Sequence, residues 1–153
     1  MKWLLISSSP RQEIYELRNS KEKLLTLTYH PASGTLRISA DEKRVFLIGR
    51  EGFLRRRTVL RNEYGVRMGQ LNYDNNQDNQ GNIDVENEQF NYIVQNNLSS
   101  KATIYRSTEM LVVCELPAIS KNNNNSENYG LLILMLCWYM ATAVKKQAAE
   151  EFA

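Results

Sequence analysis

Histidine and cysteine are scarce in this sequence, and each scarcity excludes a class of chemistry. His30 is the only histidine, so the chain has no multi-histidine metal site and only one imidazole for a catalytic triad. The two cysteines, Cys114 and Cys137, are far apart and lie inside apolar runs, as small buried hydrophobes do. Glycine-rich phosphate loops are also absent. We therefore predict a protein that is not an enzyme and that uses no metal and no cofactor.

Long apolar runs are missing as well. The first run, residues 1–6, is shorter than the roughly 7–15 apolar residues of a signal-peptide core. The longest run, Leu131 to Val144, would rise about 21 Å as a helix, whereas the hydrocarbon core of a bilayer is about 30 Å thick. We therefore expect no transmembrane span and a cytoplasmic location with reduced thiols.

Most of the chain alternates between apolar and polar residues with a period of two. Leu25 and Leu27 alternate with threonines, and Leu36 and Ile38 repeat the pattern after Gly34. Such alternation is typical of strands with one buried face. Short apolar segments with Gly, Asn and Pro between them continue to Pro117. The pattern predicts eight to twelve short strands in an antiparallel meander, sandwich or barrel.

The last apolar run differs because it is apolar on every face of a helix. Leucine, methionine and alanine favour the helix, which we predict over residues 129–147. A helix without a polar face must be surrounded. Its length favours burial in the core of a single domain spanning residues 1–153. The alternative is a tail-anchored membrane protein that displays a β domain.

The order of the elements, short strands followed by one apolar helix, resembles the tubby-like C-terminal fold of tubby domains, LURP-one-related proteins and phospholipid scramblases. The likeness is greatest at residues 45–48, 58–69 and 131–144. The resemblance implies a mainly β fold, an antiparallel closed barrel of about twelve short strands that encloses the hydrophobic C-terminal helix. It also implies binding of phosphoinositides by basic residues of the barrel, as in some family members.

Positive charge is concentrated between residues 43 and 67, where only Glu51 and Glu63 are acidic. The eight basic residues are Lys43, Arg44, Arg50, Arg55, Arg56, Arg57, Arg61 and Arg67. Such a cluster can mark an anionic partner, or it can be a solvated face that protects a sheet edge. Alternation sends neighbouring side chains to opposite faces, so the eight residues are not expected to form one patch.

The sequence thus predicts a non-enzymatic binding or scaffold domain whose basic segment contacts anionic phospholipid headgroups or an unknown protein. Nucleic acid is a weaker candidate, because few aromatic residues lie between these basic ones and no RNA-binding motif is present. A partial calcium-loop pattern at residues 76–87 ends in Asn87, where a bidentate glutamate is required. We therefore expect a polar hairpin loop at these residues and not a calcium site.

Overall fold

Alternating side chains build eleven strands in the part of the chain that the structure describes. This computed structural model describes residues 1–40, 42–52, 56–74, 77, 79–118 and 129–151, and only the main chain for 144–151. The strands are β1 (Lys2–Ser8), β2 (Glu13–Arg18), β3 (Lys23–His30), β4 (Thr35–Ser39), β5 (Lys43–Glu51), β6 (Arg57–Asn62), β7 (Arg67–Tyr73), β8 (Gln80–Val85), β9 (Glu88–Asn96), β10 (Ser100–Arg106) and β11 (Glu109–Glu115). The described residues also form one helix, α1 (Gly130–Glu151).

The strands form a closed barrel in sequence order, which confirms the predicted fold class. Each strand pairs antiparallel with the next one along the chain. Closure is different: β1 and β11 run parallel and meet at one register pair, Lys2 with Glu115. The main-chain N–H of Glu115 donates to the carbonyl of Met1 at 3.0 Å across this junction.

Two turns show how local sequence sets the hairpins. Asn62 accepts hydrogen bonds at its side-chain Oδ1 from the N–H groups of Tyr64 and Val66, both at 2.9 Å, as asparagine does in turns. Gly65 then takes a φ of 82°, which completes the turn between β6 and β7. The second turn follows β5. Strand β5 stays paired with β6 through Glu51, and the chain turns at Gly52, where φ is 89°.

Helix α1 and the inward side chains of the barrel form one hydrophobic core. The consecutive residues Leu132 to Cys137 are at most 1% exposed, which confirms the prediction of a helix surrounded by protein. Helix α1 begins one residue after the predicted start and continues four residues beyond the predicted end. Among the described residues, no helix is long and apolar enough to cross a membrane.

Candidate anion-binding site

The basic segment does not form a single patch. Arg44 and Arg50 occupy the register positions of β5 that also hold the buried side chains of Phe46 and Ile48. They therefore belong to the inward face, near the two ends of the strand. Lys43 is exposed on the outward face. Arg55 lies outside the described residues.

Three of the arginines lie on the outer face of β6 and β7. Arg61 holds the carboxylate of Glu51 with two contacts from Nη2, at 2.9 and 3.1 Å. Arg57 is half-buried opposite Glu51, and Arg67 donates to Oε1 of Gln70 at 2.9 Å.

The ion pair between Arg61 and Glu51 has a structural consequence on this face. Arg61 pairs in register with Leu47, which is four residues from Glu51. The side chains of Arg61 and Glu51 must therefore span the intervening register pair of Val59 and Gly49. Val59 is 1% exposed although it lies outside the central core. Part of the predicted positive surface is therefore used to cover a valine.

Arg44 is also used within the fold. Its guanidinium lies 5.0 Å from the ring centroid of Phe46 and 5.8 Å from that of Trp138. The two rings meet edge to face at 5.4 Å with an interplanar angle of 70°. Stacking of an arginine on aromatic faces is favourable by about 0.5–2 kcal/mol, so Arg44 secures the helix against β5.

Arg50 and Arg56 converge on a single aromatic ring. Their guanidinium carbons lie 5.4 and 6.0 Å from the ring centroid of Tyr73, the last residue of β7. Arg56 also donates from Nη2 to the main-chain oxygen of Asp74, and its own carbonyl accepts from the N–H of Tyr73 at 3.0 Å. We call Arg50, Arg56, Thr58, Tyr73 and Asp74 the Tyr73 cluster.

The hydroxyl of Tyr73 lies at the start of helix α1. Tyr73 Oη and Thr58 Oγ1 share a hydrogen bond of 2.8 Å. Gly130, the first residue of α1, is so close that a Cβ atom there would collide with Tyr73 Oη. The first turn of α1 contains no acidic residue, so the partial positive charge of the helix N-terminus is not offset within that turn.

The cluster thus brings two arginines and a helix N-terminus to the same end of the barrel. Asp74 is the acidic member, and its Oδ2 accepts from Nε2 of Gln80 at 3.1 Å. Guanidinium groups bind phosphates and carboxylates with paired hydrogen bonds. The arrangement is therefore suited to an anion.

Leu98 lies at this same end of the barrel. It is fully exposed in the turn between β9 and β10. Ser100, two residues later, accepts a hydrogen bond of 3.2 Å from Oη of Tyr129, the residue before α1. The cluster is thus accompanied by a large apolar side chain that projects into solvent.

Metal-ligating groups and thiols were the remaining candidates for chemistry. The described residues contain no group of three or more His, Cys, Asp or Glu side chains that could hold a metal ion. Burial raises the pKa of the Cys114 thiol to about 12, and burial also raises the pKa of Cys137. Neither thiol is therefore a thiolate at neutral pH, the form in which cysteine is nucleophilic.

The sequence identified the arginines of the cluster but not Tyr73, Thr58 or Asp74. Charge counting finds basic residues within one segment, whereas Tyr73 comes from a strand further along the chain. An aromatic residue at a strand end before a polar loop was the one available signal.

Compared with known proteins, the chain matches no protein-family model, no curated protein and no solved structure. The comparisons assign no family to the chain.

Proposed function

We propose that the chain is a non-catalytic, tubby-like binding domain, and that the Tyr73 cluster binds the headgroup of an anionic phospholipid. The eleven-strand barrel around one apolar helix supports the family assignment, because it is the architecture that the resemblance implied. The proposal includes a cytoplasmic location, where the free thiols Cys114 and Cys137 would stay reduced.

The observation that carries the proposal is the convergence of Arg50 and Arg56 on the ring of Tyr73. Guanidinium groups bind phosphates with paired hydrogen bonds, so a phosphate beside this ring could accept from both arginines. Tyr73 is 6% exposed and held by Thr58, so its ring is a fixed platform. The two guanidinium groups are therefore partly preorganised for an anion.

Leu98 favours a membrane surface over a free anion. Exposed apolar side chains beside basic residues enter the interfacial region of a bilayer while the basic residues meet anionic headgroups. Leu98 and the cluster lie at one end of the barrel. The barrel end would then face the membrane, and α1 would stay inside the protein.

Vesicle co-sedimentation tests the proposal. The full chain should pellet with vesicles containing phosphoinositide or phosphatidylserine and not with neutral vesicles, more strongly at about 50 than at about 200 mM salt. The test variant combines Arg50→Gln with Arg56→Gln. Each basic residue near an anionic surface contributes about 1 kcal/mol, so we expect roughly 30-fold weaker binding.

The matched control combines Lys43→Gln with Arg67→Gln, which removes the same charge outside the cluster. Near-wild-type pelleting of the control supports a local site, whereas equal losses would mean a diffuse basic surface and would overturn the proposed site. Soluble inositol phosphate and a Leu98→Ser variant separate the two sources of phosphate. Binding of the soluble compound without any vesicle binding would show an anion site that is not a membrane site.

A further inference from the structure

The stagger at the closure of the barrel leaves part of β11 unpaired on one side within the described residues. β1 and β11 run parallel, and their register pair joins the start of β1 (Lys2) to the end of β11 (Glu115). Residues 109–114 of β11 precede this pair, so β1 does not extend beside them. In the part of the chain that the structure describes, no strand pairs with them on the side away from β10. An edge of this kind is a template for a further strand.

A groove meets this edge at Val113. Its volume is about 510 Å³, and it lies between Val113 and Glu115 of β11 and the β2–β3 hairpin at residues 18–22, with Met1 and Lys2 beside it. Val113 is 39% exposed there, and Met110 on the same strand is 59% exposed. We call this the seam groove.

The main chain of Val113 faces the groove. The N–H of Glu115 points away from β10, since it donates to Met1. Groups two residues apart on a strand point the same way, so the N–H and C=O of Val113 also point away from β10. An extended peptide placed beside β11 would meet one donor and one acceptor at this residue.

Charge indicates what kind of peptide would fit. The lining contains four basic residues, Lys2, Arg18, Lys21 and Lys101, and two acidic ones, Glu22 and Glu115. Arg18 is held by the carboxylate of Glu16 at 3.0 Å, so the three lysines supply the positive charge of the groove. Glu115 lies between its register partners Lys2 and Lys101, so its charge is already offset. The groove therefore favours a peptide with carboxylates.

A second copy of this chain fits less well in the register centred on Val112. If β11 paired antiparallel with the β11 of another molecule about Val112, Glu109 of each strand would oppose Glu115 of the other. Like charges directly opposite each other destabilise a strand pair. The same edge in a different protein carries no such constraint.

We propose that the seam groove binds an extended acidic segment of another protein, which adds to β11 as a strand. Main-chain hydrogen bonds to the edge would provide affinity, and the lysines would select carboxylates. This surface does not use the Tyr73 cluster, so a partner protein and a lipid could be tested separately.

A labelled peptide tests the proposal on the full chain. The probe is a capped peptide of about six residues, the length of a typical strand, in which aspartate alternates with valine. Fluorescence anisotropy should show binding that is lost when alternate amides of the peptide are N-methylated. Lys21→Glu should weaken binding at least tenfold, and Arg37→Glu, on the exposed face of β4, should leave it unchanged.

Val113→Pro tests the strand edge itself, because proline is tolerated on edges but removes the N–H. It should weaken binding at least tenfold, and in the wild type the peptide should slow hydrogen exchange at Val113. If this variant does not fold, Lys21→Glu and the exchange measurement still decide the question. Absence of binding, equal affinity of the N-methylated peptide, or a concentration-dependent dimer that occupies the groove would each overturn the proposal.

Discussion

The indole Nε1 of Trp3 donates a hydrogen bond of 3.0 Å to the main-chain oxygen of Leu132. This bond joins the first strand of the barrel to the first turn of the central helix, across 129 residues of sequence. Trp3 is 1% exposed, so the bond lies in the core. Because β1 has only one register pair with β11, this contact also helps to hold β1 at the closure of the barrel.

Replacing Trp3 with phenylalanine should therefore cost more than the same change at Trp138. Both indoles are buried, but Nε1 of Trp138 has no hydrogen-bond partner among the described residues. Trp3→Phe loses a buried hydrogen bond in addition to volume, so its free energy of unfolding should fall by about 1 kcal/mol more than that of Trp138→Phe. Urea unfolding of the two variants measures the difference, and a larger loss at Trp138 would contradict the role of the Trp3 bond.

Two leucines test the burial of the helix. Leu134 is 0% exposed in α1, whereas Leu98 is fully exposed in a turn. A carboxylate at position 134 would be buried without a partner, so Leu134→Asp should destabilise the protein by about 3–5 kcal/mol or prevent folding. Leu98→Asp should change the stability by about 0.5 kcal/mol or less. Similar melting temperatures for the two variants would show that α1 does not occupy the core.

Two strand glycines test the packing of β8. A Cβ atom on Gly81 would collide with the main-chain oxygen of Asn72 and lie 2.9 Å from Cε1 and Oη of Tyr92, whereas one on Gly49 would meet nothing within 4 Å. Gly81→Ala should therefore cost about 1–3 kcal/mol, since overpacking forces neighbours to move. Gly49→Ala should be neutral or slightly stabilising, because alanine restricts the unfolded chain. Thermal unfolding of both variants checks this contrast, which a stable Gly81→Ala protein would refute.

The buried thiols predict how stability depends on pH. Burial raises the pKa of Cys114 from 9.0 to about 12 in the folded protein, so the thiol stays neutral while the unfolded chain can ionise. The stabilisation is complete below about pH 9 and is lost as pH rises towards 12. Cys114→Ala should reduce this alkaline loss of stability. At pH 8, thiol reagents should label Cys114 and Cys137 only after denaturant is added, and rapid labelling of the native protein would show that the core opens.

The local pattern of the chain determined the helix and strands such as β3 and β4. Alternation at residues 25–29 and 36–38 predicted β3 and β4 because one face of each strand is buried and the other is not. The unbroken apolar run from Leu131 predicted an enclosed helix because no face of that helix could remain in water. At residues 1–6 no alternation is present, and the sequence did not predict β1.

Only the tertiary structure decided which of the basic residues act together. Arg44 and Arg50 share one strand face but reach different aromatic rings, Trp138 in one case and Tyr73 in the other. Tyr73 joins Arg50 and Arg56 because β7 pairs with β6, which pairs with β5. Strand propensity and alternation are properties of neighbours in sequence. The convergence of side chains and the unpaired edge of β11 depend instead on the stagger with which eleven strands close into a barrel, and no single segment encodes that stagger.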